Sequence, residues 1–140
     1  MDLSLPLYAP LVSSPVEPLL ARWQDGPAIF PDGRVPGEAA YPCCVIFAPV
    51  QDLPLDTKTE PGREVMCSID FYGLATGDPG ALDSLAEVGR AALHRKPVGV
   101  GTLAGTISRV DGPIVAPSDD HLYGRRLVVT LTLRDALAHA

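Results

Sequence analysis

The sequence predicts an α+β domain: a mostly antiparallel sheet of about four strands with two helices packed on one face. Three observations predict it. Residues 65–71 and 127–133 alternate apolar and polar side chains with a period of two. Residues 14–24 and 78–94 repeat apolar side chains every three or four positions, each behind a capping residue followed by proline. The 15 prolines and 13 glycines fall between these stretches and not in one low-complexity block.

The elements follow in order. Residues 1–12 (MDLSLPLYAPLV) are broken by prolines and read as an extended N-terminal arm. Ser14-Pro15-Val16-Glu17 reads as a helix start, because serine caps free N–H groups, proline suits the first turn and glutamate can reach back. Val16, Leu19, Leu20 and Trp23 then form one stripe, and Asp25-Gly26-Pro27 stops it. After an irregular crossing with a short strand at 28–30, CCVIFAPV at 43–50 reads as a well-buried strand. Residues 51–62 (QDLPLDTKTEPG) read as a long exposed loop.

In the strand at 63–72, Val65, Cys67, Ile69 and Phe71 alternate with Glu64, Met66, Ser68, Asp70 and Tyr72. Asp78-Pro79 opens a second helix, with Leu82, Leu85, Ala86, Gly89, Ala92 and Leu93 on one side and a basic end at His94-Arg95-Lys96. Residues 98–133 read as two strands with a loop at 116–120, and Leu127, Val129, Leu131 and Leu133 share the buried face of the last. Residues 135–140 are a C-terminal tail. All 140 residues form one domain.

Charge narrows the function. With 11 basic against 17 acidic residues, a net charge of −6 and a pI near 4.8, the chain lacks the basic excess that grips phosphates. The N-terminus has no basic region ahead of an apolar run, and no stretch approaches the ~20 apolar residues that span a bilayer, so no membrane role is expected and the chain is expected to fold in a cytoplasm. Cys43, Cys44 and Cys67 show no CxxC spacing and read as reduced, buried thiols.

No catalytic, cofactor-binding or metal-binding residue is assigned. Asp70 shares a strand face with Glu64, Ser68 and Tyr72, so a water-facing or neighbour-facing position accounts for it. Asp119-Asp120-His121 with Asp111 offers oxygen and nitrogen ligands, but the spacing matches no calcium loop. A cysteine nucleophile needs a histidine, yet His139 is in the tail and His94 suits a helix end. Gly99-Val100-Gly101 and Gly105 follow a helix and precede a strand, the reverse of a phosphate-binding loop. Arg125-Arg126 reads as a solvated strand edge able to pair with an acidic neighbour.

The helix SSPVEPLLARW, the crossing DGRVPGEAAYP, the strands CCVIF and CSIDFYG, the helix ALDSLAEVGRAAL and the strand RRLVVTLTL occur here in one order. That layout resembles the tail completion or tail terminator proteins of long-tailed bacteriophages and gene transfer agents. The resemblance implies a structural, non-enzymatic virion protein without cofactors. Such a protein assembles in the host cytoplasm as a homo-oligomeric ring, commonly six subunits, at the head-proximal end of the tail tube. It implies contacts with the tail tube protein and the head connector or adaptor, with DNA passing through the channel without specific binding. The expected subunit contacts are the loop residues Asp52, Asp56, Lys58 and Glu60, the strand residues Arg63, Glu64, Asp70 and Tyr72, and the pair Arg125 and Arg126. The alternatives are a head-tail adaptor or tube subunit of the same particle, or a small ligand-binding or hydrolytic α+β domain in which Asp70 and His121 meet.

Overall fold

A computed structural model describes residues 4–12, 14–31, 33–49, 51–54 and 62–135. Helix α1 spans Ser4–Val12 and α2 spans Pro79–Leu93. The strands are β1 (Arg22–Trp23), β2 (Gly26–Pro27), β3 (Ile29–Phe30), β4 (Cys43–Ile46), β5 (Gln51–Pro54), β6 (Gly62–Leu74), β7 (Pro97–Val100), β8 (Leu103–Val115) and β9 (Leu122–Asp135).

The expected four-stranded, mostly antiparallel sheet is replaced by a curled, mixed sheet of seven strands. Its order is β3-β4-β6-β9-β8-β7, with β5 pairing the remaining length of β6 on the same side as β4. β3 runs parallel to β4, while every other ladder of this sheet is antiparallel. The short strand expected at 28–30 is β3, but the expectation missed β5 and β7, because strands of four residues hold too few positions to show a period. Among the described residues β3, β5 and β7 each have one partner, and β5 and β7 carry the prolines Pro54 and Pro97 that sheet edges tolerate. Instead of forming one open loop, residues 51–62 thus begin in β5, and Asp56, Lys58 and Glu60 lie outside the described residues.

The first helix also lies elsewhere. Residues 4–12, expected to be extended, are helical despite Pro10, because Leu7 and Leu11 stand one turn apart and both are fully buried against the core. The capping signal at Ser14 is used, with the Val16 N–H donating to Ser14 Oγ at 3.1 Å, but it starts a single 3-10 turn at Glu17–Leu19. Leu20 then turns extended, and the Ala21 N–H donates to the Pro42 carbonyl at 2.9 Å. Tertiary pairing thereby overrides helical spacing, and Trp23 leaves the stripe to pack edge-on against Phe30, with ring centroids 5.7 Å apart.

α2 follows the sequence closely. Asp78 caps it by accepting from the Gly80 N–H at 2.9 Å, Pro79 opens the first turn, and the six expected side-chain positions from Leu82 to Leu93 are the buried ones. Gly89 lets the helix approach the sheet, since a Cβ there would lie 2.7 Å from Phe71 Cζ. Beneath it, Val65, Cys67, Ile69 and Phe71 of β6 and Leu127, Val129, Leu131 and Leu133 of β9 are all fully buried. A smaller cluster on the opposite face gathers Ala28, Phe30, Cys43 and Val45 under Trp23, Val35, Tyr41 and Phe47. Both faces of β4 are therefore covered, which explains its continuous apolar sequence.

Candidate functional site

On the face away from α2, the register of β6 against β9 sets Asp70 directly opposite Arg126. Arg126 donates from Nε to Asp70 Oδ1 at 2.7 Å and from Nη2 to Oδ2 at 2.8 Å, a two-pronged guanidinium–carboxylate pair. Tyr72, two residues along the same strand face, donates its hydroxyl to Asp70 Oδ2 at 2.8 Å, and that hydroxyl oxygen lies 3.4 Å from the Pro117 carbonyl oxygen. Phe47 stands beside the cation, its ring centroid 5.8 Å from Arg126 Cζ.

Asp70 has no exposed surface, whereas the Arg126 side chain is 30% exposed. The expectation of a water-facing or neighbour-facing Asp70 is corrected: Arg126 and Tyr72 close on the carboxylate beside an apolar cluster that includes Phe30, Val45 and Phe47, and strand periodicity reveals neither. The carboxylate takes three charge-assisted hydrogen bonds and belongs to the subunit's own framework. Burial first, then the hydrogen bond to Asp70, holds the Tyr72 phenol above its ordinary pKa. Arg126's own hydrogen bonds to Asp70 hold its guanidinium above the ordinary value.

The remaining expected contact residues part company. Arg125 and Arg126 do not form one edge, because β9 lies inside the sheet and successive side chains point to opposite faces. Arg125 turns to the helix side and pairs with Asp83 of α2, with 16% of its side chain exposed. Asp52 and Arg63 pair with each other across β5 and β6 at 3.0 Å, both partly in solvent. Glu64 stands half-buried on an open polar part of the sheet, at a cavity of about 370 Å³ with Met66, Ser108, Arg109, Asp111 and Thr130.

Two hollows are larger, and the first of them borders the network at Phe47 and Tyr72. One of about 400 Å³ is lined by Val35, Phe47, Tyr72, Pro117, Ser118 and Asp119. The other, about 510 Å³, is an apolar groove between the Glu17–Leu19 turn and the start of α2, with Leu19, Tyr41, Leu74, Asp78, Leu82 and Leu85 on its walls. Sequence reading assigns none of Phe47, Tyr41, Leu19 or Leu74 to a site: it sets Leu19 on a helical stripe and Phe47 in a buried strand.

The nucleophile candidates are enclosed. Burial pushes the thiols of Cys43 and Cys67 up to about 12 and that of Cys44 well above its usual value, which keeps all three protonated and unreactive. Among the described residues, no group of three or more His, Cys, Asp or Glu side chains is placed to hold a metal ion. His121 lies 4.0 Å from Asp119 on the surface, and Asp70 is bound elsewhere, so the two do not meet in one pocket. No helix is long and apolar enough to cross a membrane among the described residues.

No family model matches the chain, and no curated protein matches it. Among solved structures, a chain in the virion of a native gene transfer agent (GTA) particle superposes with a TM-score of 0.70 over 95% of this chain and 95% of that one, at 16% identity. The likeness establishes a shared fold.

Proposed function

We propose that this chain is a structural virion protein of a bacteriophage or gene transfer agent, not an enzyme, and that it serves as the tail terminator. In this role it forms a ring, with six subunits as the working number, that closes the head-proximal end of the tail tube, meets the head connector, and lets DNA pass. The observation that carries the reading is the fold shared along nearly the whole of both chains with a component of a gene transfer agent virion.

Two physical features support it. The groups that a catalyst would need are spent on internal contacts: Asp70 on Arg126 and Tyr72, and the cysteines on core packing. Among the described residues, no strand lies on the outer side of β5 or of β7, and large apolar side chains near these edges stand in water: Leu53 on β5 is 44% exposed, and Ile114 and Val115 on β8 are 54% and 77% exposed. β7 covers β8 over Leu103–Thr106, so the far half of β8 is a sheet edge with no strand beside it among the described residues. Unlike edges on opposite sides of one subunit suit a head-to-tail contact that closes into a ring. A net charge of −6 favours a wall that DNA slides past over one that binds it. Asp52, Arg63 and Glu64 remain at such contact surfaces, while Asp70 acts within the subunit by fixing Arg126.

Negative-stain imaging of the purified protein, alone and mixed with tail tubes, tests the proposal. Rings with a central channel that cap one tube end are expected. Polymerising tubes would instead identify a tube subunit, and a monomer that ignores tubes would overturn the reading.

A further inference from the structure

The two ends of α2 carry opposite charge. At the N-terminal end stand Asp78 and, on the connection between β8 and β9, Asp119 and Asp120, all exposed. The Ala75 N–H, donating to the His121 carbonyl at 2.8 Å, holds that connection beside the helix start. At the C-terminal end His94, Arg95 and Lys96 follow one another, also exposed. Their backbone is fixed: Arg95 sits at φ +60° and its N–H donates to the Ile107 carbonyl at 2.9 Å. None of these three basic side chains forms an ion pair with a described residue. The ends are about 24 Å apart at the helical rise of ~1.5 Å per residue, so one folded subunit cannot bring them together.

The apolar groove opens at the acidic end. Leu19 and Leu74 on its walls are 48% and 50% exposed, and Asp78 lines it. Tyr41 lies on the groove as well and also lines the neighbouring 400 Å³ hollow, whose wall includes Asp119, so that charge stands one aromatic ring away from the groove. Aliphatic walls with carboxylates at the mouth suit a long basic side chain, whose stem packs while its head pairs.

We propose that this groove receives Arg95 and Lys96 of a second copy of the same chain. The two surfaces differ, so the contact repeats from subunit to subunit and closes where the rotation allows. It deepens the ring reading and rests on it, by naming the surfaces through which neighbours meet.

Charge exchange tests it, read by light scattering after size-exclusion chromatography. Wild type is expected to associate more tightly at about 50 mM than at about 500 mM NaCl, since salt shortens the reach of charge to a few ångströms. The variants Arg95→Glu/Lys96→Glu and Asp119→Lys/Asp120→Lys change exposed residues and should fold, as circular dichroism will verify. Each alone should weaken association at least tenfold, and mixing the two should restore mixed assemblies. Leu74→Lys should weaken association without altering the helix ends. If both charge variants assemble as wild type does, the contact is overturned and the ring reading stands. A wild-type protein that stays monomeric at every concentration overturns both.

Discussion

On the side of β6 that meets α2, Val65, Cys67, Ile69 and Phe71 lie in a continuous apolar core; on the other side of the same strand, Asp70 is equally buried but held by a cation and a phenol. The two sides achieve burial by different physics. Apolar packing is non-directional and loses stability in proportion to the volume removed. The polar network is directional, and it loses most when one partner goes and leaves the other without water. An apolar face is therefore robust to exchange among hydrophobes, while the polar face specifies one register of β6 against β9, because a one-residue slip would separate Asp70 from Arg126.

The sharpest break is expected from single truncations on each side. Phe71→Ala, under Gly89, and Arg126→Ala, which strands the Asp70 carboxylate, should each cost about 3–5 kcal/mol in urea unfolding. Repair separates them. Asp70→Leu combined with Arg126→Met should recover most of the loss, because it removes both charges from the buried face. Asp70→Ala alone should cost less than Arg126→Ala, since the partly exposed guanidinium can turn to water. Equal costs for those two variants would refute this account of the pair.

Alkaline pH should press on the buried thiols of both sides. Cys43 and Cys67 ionise near 9.0 when unfolded and near about 12 when folded, so above pH 9 the unfolded chain loses protons first. Their contribution is complete below pH 9 and falls as pH rises toward 12, by roughly 1.4 kcal/mol per pH unit for each thiol. Urea midpoints at pH 8 and pH 10 check the sign. Tyr72→Phe removes one hydrogen bond from a carboxylate that keeps two, and should cost about 1–2 kcal/mol. Asp52→Ala breaks a solvent-exposed pair and should change the midpoint by less than about 1 kcal/mol.

Much of the helix side was legible in the sequence. The period of two in β6 and β9 and the cap, proline and apolar spacing of α2 each depend on neighbours a few residues apart, so local reading reaches them. The opposite side was not. An alternating polar residue looks the same whether water or a distant group lies over it, and Asp70 is closed off by Arg126, 56 positions away, beside a cluster of Trp23, Val35, Tyr41 and Phe47 that share no spacing. The N-terminal helix was hidden for a related reason: Leu7 and Leu11 earn their helix by packing, against the local preference of Pro10. The groove at Leu19 and Leu74 joins residues 55 positions apart, a juxtaposition that only the fold creates.

The three cysteines also make the protein its own unfolding reporter. Cys44 and Cys67 belong to the core under α2 and Cys43 to the cluster on the far side, and none is open to a labelling reagent in the folded subunit. A bulky thiol dye should therefore leave the native protein unmarked, and mass spectrometry of partly labelled molecules would tell which side of the sheet opens first: early modification at Cys43 means that the far-side cover lifts while the helix-side core is still closed.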